Sequence, residues 1–128
     1  MAQNSSRNLE NLETSKLWKQ AGKLSEAVRH FADVLPHSEQ FTLANPLYQN
    51  AVQLTTDIAM ALGQGGTSAA YEYRLARGRL FSIKSLVLMA QHYELAVEVK
   101  HIINDANGIQ NLLDTKITEL EKDKKHED

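Results

Sequence analysis

The densest concentration of charge of one sign falls in YEYRLARGRLFSIK, residues 71–84. Here Arg74, Arg77, Arg79 and Lys84 succeed one another, and no acidic residue intervenes between Glu72 and Glu94. On a helix Arg74 and Arg77 share a face, Lys84 roughly shares it two turns beyond Arg77, and Arg79 points elsewhere. Such a strip suits two kinds of chemistry. It can neutralise phosphates, which makes a nucleic-acid contact. Alternatively, the cations pair with carboxylates of a neighbouring helix or subunit, such as Glu94, Glu98 or Asp105. The acidic balance of the chain, 16 Asp and Glu against 14 Lys and Arg, favours the second. Trp18, Tyr48, Tyr71, Tyr73 and Tyr93 could stack bases, but aromatics at helical spacing are more often core or interface.

The remaining candidates are weaker. Glu98-Val99-Lys100-His101 has the Glu-x-x-His spacing that puts a carboxylate and an imidazole on one helix face, as in di-iron bundles. A site of that kind needs a second copy and two further carboxylates, and Glu26 with His30 has the wrong spacing. His101 with Asp105 and His30 with Asp33 read as local surface pairs. Gly63-Gln64-Gly65-Gly66-Thr67-Ser68 could cradle an anion at a helix start, yet no lysine follows the glycines and a helix precedes them, so a plain turn is favoured. No serine sits in a GxSxG turn or beside a recognisable base. The sequence thus assigns no catalytic, cofactor or metal residue, and it predicts a protein that is not an enzyme and has no cofactor.

Long helices must carry these residues. Leu17, Ala21, Leu24, Val28, Phe31 and Leu35 step by four and three, predicting a first helix that ends before Pro36. A short helical turn near Glu39 to Leu43 precedes a second helix, where Asn45 suits the cap, Pro46 suits the first position, and Leu47, Ala51, Leu54, Ile58 and Leu62 form the stripe. The glycine loop stops it, and Thr67 or Ser68 caps the third. Tyr71 to Tyr93 is the organising stretch, with Ala76, Leu80, Ile83, Val87 and Ala90 in phase. The phase breaks around residues 92–96 without a Gly or Pro, and Val99, Ile102, Ala106, Ile109, Leu113, Ile117 and Leu120 begin a fourth stripe. Gly108 interrupts that stripe, which close helix contact would explain. The fold class predicted is all-α: a single antiparallel up-and-down four-helix bundle over residues 9–120. A flexible start at 1–8, capped by Ser5 or Asn8, and a flexible charged tail at 121–128 flank it.

With 128 residues, 42% of them hydrophobic, the chain can bury a core of its own. It contains no cysteine, which excludes disulfides and thiolate metal sites and favours a reducing cytoplasm. The opening residues lack the apolar run of a signal peptide, and no stretch of about 18 or more apolar residues offers a membrane span. A net charge of −2 argues against a surface that coats nucleic acid. Leu75, Phe81, Leu86, Leu88 and Met89 widen the third helix beyond its core stripe, predicting a homo-oligomer.

Leu35-Pro36 with Glu39 and Leu43, then Asp57-Ile58-Ala59, the glycine loop, and Ala76-Arg77-Gly78-Arg79-Leu80, in that order across about residues 12–120, resemble a known family. It is the family of small four-helix-bundle proteins encoded in intervening sequences of bacterial 23S ribosomal RNA genes, related to the accessory proteins of diversity-generating retroelements. The chain departs from the family pattern at Asp57, Met60 and Ala61 and at Arg79. The resemblance implies a homo-oligomeric ring, a pentamer, without enzymatic activity. Its retroelement relatives look like basic nucleic-acid and polymerase binders. Two functions follow as expectations: a non-catalytic oligomeric interaction or scaffold module, or a nucleic-acid-binding accessory working through Arg74, Arg77, Arg79 and Lys84.

Overall fold

The computed structural model describes residues 12–96 and 98–127. A helical turn at 12–14 leads to Ser15, whose hydroxyl oxygen accepts from the Trp18 amide at 3.1 Å. That bond satisfies one of the amides left unpaired at a helix start, and α1 runs from it as Lys16–Asp33. The caps expected at Ser5 and Asn8 lie outside the described residues. Past Pro36 the chain makes a 3-10 turn, His37–Glu39, and a π-helical stretch, Gln40–Ala44, which passes directly into α2, Asn45–Gln64. The short helical turn is therefore present, but Asn45 is not a cap. Backbone N-terminal to it is already helical, and its side-chain oxygen accepts from Gln40 Nε2 at 3.4 Å.

Gly65 and Gly66 end α2 with φ of 64° and 63°, the left-handed region where a Cβ costs about 1–2 kcal/mol. The next helix, α3, is Ala69–His92. Ser68 stands at its start without capping it; its hydroxyl donates to the Gly65 carbonyl at 3.1 Å. At the other end Glu94 adopts φ 63°, its amide donates to Gln91 O at 2.9 Å, and the Leu95 amide donates to Ala90 O at 2.8 Å. This paired closure is a Schellman end built on a glutamate in place of the usual glycine. The final helix, α4, is Lys100–Glu127, and it continues through the charged stretch that sequence reading placed outside the bundle at 121. Glutamate and lysine are good helix formers, so the helix outlasts its apolar stripe.

The four apolar stripes form one core. Leu24, Val28, Leu54, Ile58, Leu80, Ile83, Ile102 and Leu113 are fully enclosed, each contributing about 1.5–3 kcal/mol by leaving water. α1 packs on α2, α2 on α3, α3 on α4, and α4 closes on α1. Among the described residues there is no strand, and no helix is long and apolar enough to cross a membrane.

Candidate functional site

α3 has a buried stripe at Ala76, Leu80, Ile83 and Val87, so its cations emerge on the two flanks of that stripe. On the α4 side, Arg77 Nη1 lies 2.9 Å from Asp114 Oδ1, and Arg74 Nη1 lies 2.9 Å from Glu121 Oε1. Lys84 Nζ donates to Asn107 Oδ1 at 3.0 Å and to Gln110 Oε1 at 2.6 Å, and it sits 4.5 Å from the Phe81 ring centroid. Arg79 takes the opposite flank, where its Nε lies 3.1 Å from Asp57 Oδ2 on α2. Thus all four cations hold partners on adjacent helices. The carboxylates are Asp114, Glu121 and Asp57, in place of the Glu94, Glu98 and Asp105 named from sequence. Glu94 and Glu98 lie in the α3–α4 connection, and Asp105 lines the groove between α4 and α1 beside Gln20 and Lys23.

Asp57, which enters the sequence analysis only through the family resemblance, is the buried partner of Arg79. Its side chain is 2% exposed and also accepts from Gln53 Nε2 at 2.9 Å. A lone aspartate beside Ile58, on the edge of the α2 stripe, was the available signal. Glu72, likewise buried, receives a longer hydrogen bond from Gln64 Nε2 at 3.4 Å. Among the described residues no buried side-chain polar atom lacks a partner.

The outward face of α3 carries Tyr71, Gly78, Phe81, Ser82, Ser85, Leu88 and Met89, all exposed and uncharged, while Arg74, exposed between Tyr71 and Gly78, is turned to Glu121 of α4. Phe81 is 54% exposed and Leu88 46%. On α2, Val52 and Met60 add further exposed apolar surface. Leu75 and Leu86 are half-buried, Leu86 against the core.

The other sequence candidates do not assemble. Glu98 precedes α4 and accepts from the Lys100 amide at 2.8 Å, so it shares no helix face with His101. Among the described residues no three His, Cys, Asp or Glu side chains gather as a metal site would need. In the glycine loop, the Gly65 amide donates to Ala61 O at 3.0 Å and the Ala69 amide to Gly66 O at 3.2 Å, so these groups are spent on the turn. Asp33 does not pair with His30; it accepts from the Tyr48 hydroxyl, which raises the phenol above its ordinary pKa. Arg29 lies over the Tyr48 ring at 5.5 Å. Of the aromatics, Tyr71 and Tyr93 are exposed, Trp18 and Tyr48 half-buried, and Tyr73 buried, where desolvation pushes its phenol up. No protein-family model matches this chain, and neither a curated protein nor a solved structure matches it.

Proposed function

We propose that this chain is a non-catalytic, homo-oligomeric interaction or scaffold module: an antiparallel up-and-down four-helix bundle whose subunits meet through the outward face of α3. The observation that carries this reading is the uncharged, partly apolar strip of Tyr71, Phe81, Leu88 and Met89 around Gly78, Ser82 and Ser85, flanked by cations tied to their own chain. Apolar surface of that kind marks contacts, and its small central residues allow two helices to approach closely. The bundle topology is supported by the tight turn between α2 and α3 and by the return of α4 onto α1. The resemblance to the 23S ribosomal RNA intervening-sequence family makes a cyclic assembly of five copies in the cytoplasm the expected form. The nucleic-acid reading fares less well, because each cation of the basic strip would have to leave a partner before meeting a phosphate.

Light scattering at micromolar concentration tests the assembly: the wild type should give a multiple of 14.4 kDa. Phe81→Glu combined with Ser85→Glu should return it to a single chain with the helical circular dichroism unchanged, since both positions are exposed. A wild-type mass of one chain would reject the reading. Tight RNA binding that falls steeply with salt and vanishes in Arg77→Ala/Lys84→Ala, with the mass unchanged, would replace it with the nucleic-acid one.

A further inference from the structure

A cleft of about 440 Å³ opens where the start of α1 meets α4, over the ends of α2 and α3. Its walls include Leu17, Leu62 and Leu112, and Lys16, Lys116 and Glu119 also line it. Tyr73 lines it as well, 5% exposed and making no hydrogen bond among the described residues. Since no enclosed side-chain polar atom among the described residues lacks a partner, the Tyr73 hydroxyl opens onto the cleft while its ring stays buried, and it presents there a donor that no described residue takes. Two lysines against one glutamate leave the lining net positive.

We propose that this cleft binds a small amphipathic carboxylate, its acyl body against Leu17, Leu62 and Leu112, with the Tyr73 hydroxyl donating to the carboxylate and Lys16 and Lys116 offsetting its charge. A neutral ligand would leave the two ammonium groups without a role, and a wholly apolar one would leave the phenol unpaired. The residues concerned are distinct from the outward face of α3, so binding does not depend on the assembly proposed above.

The test is calorimetric titration of decanoate, below its micelle concentration, into the full chain. Saturable binding is expected, weakened about tenfold in Tyr73→Phe, since a hydrogen bond to a charged group is lost. It should weaken also in Lys116→Glu and stay unchanged in Phe81→Glu. Without decanoate, Tyr73→Phe should melt no lower than the wild type, because the hydroxyl it removes has no partner to lose. With decanoate bound, the ultraviolet titration of tyrosinate should show one phenol moved upward, a signature missing from Tyr73→Phe. Absence of saturable binding by the wild type, or equal affinity in wild type and Tyr73→Phe, would overturn the proposal.

Discussion

Arg79 and Arg74 show how differently two ion pairs on one helix can matter. Arg74 and Glu121 have side chains 44% and 55% exposed, so water screens the pair and the two long side chains lose freedom in forming it. Such a pair contributes about 0–1 kcal/mol, and Arg74→Ala should move the urea midpoint little. Arg79 faces a carboxylate that is 2% exposed. Removing it leaves Asp57 buried with the Gln53 amide as its remaining partner among those described. Because Arg79 is itself 37% exposed, water can partly replace it, and the expected cost of Arg79→Ala is about 1–3 kcal/mol rather than that of a fully enclosed pair. Urea unfolding of the two variants side by side measures the difference; equal losses would show that the burial of Asp57 is not what matters. The four cations were legible in the sequence as a cluster. Their partners were not, because helix spacing predicts contacts within an element, whereas Asp57, Asp114 and Glu121 are set by how the helices dock.

The body of each helix could be read from its stripe, but the ends could not, and the reason is local chemistry. Glu94 closes α3 in a left-handed conformation that a side chain disfavours, so no glycine announced the stop. The hydrogen bonds from the Glu94 and Leu95 amides, together with the packing of Leu95 against the core, hold it there. Glu94→Gly should relieve that strain and stabilise the protein by about 1 kcal/mol, a rise of a few degrees in melting temperature. An unchanged or lower melting point would mean that the side chain itself holds the turn. Gly108 teaches the reverse lesson. Close helix contact was the expected reason for it, yet a Cβ built there meets nothing within 4 Å. Gly108→Ala should therefore stabilise α4 by roughly 0.5–1 kcal/mol, readable in the same thermal melts. Serine caps were misjudged in both directions: Ser15 caps α1 unannounced, while Ser68 spends its hydroxyl on the preceding turn.

Across the whole molecule, the four long helices and the core positions followed from the four stripes, whose periodicity places Leu24, Leu54, Leu80 and Leu113 inside. What the surface does was not legible to the same depth. The outward face of α3 became visible as an uncharged strip only once Arg77 and Arg79 were seen to turn toward opposite neighbours. The π-helical stretch Gln40–Ala44 carries a different kind of information, about what lengths of chain this fold tolerates. A π-turn holds one residue more than the α-turn it replaces, as though an insertion had been absorbed by widening the helix instead of by rotating everything beyond it. Leu43 and Ala44 stay buried at its end, while Phe41 and Thr42 bulge outward, exposed. Deleting Thr42 should let the stretch relax to α-helix and leave a folded protein that melts within a few degrees of the wild type. Deleting Thr56, also exposed but inside α2, would turn Leu54 and everything before it by about 100° relative to Ile58 and should abolish cooperative melting. The corner before α2 thus acts as a slack point in the chain's register, where length can change without the core being told.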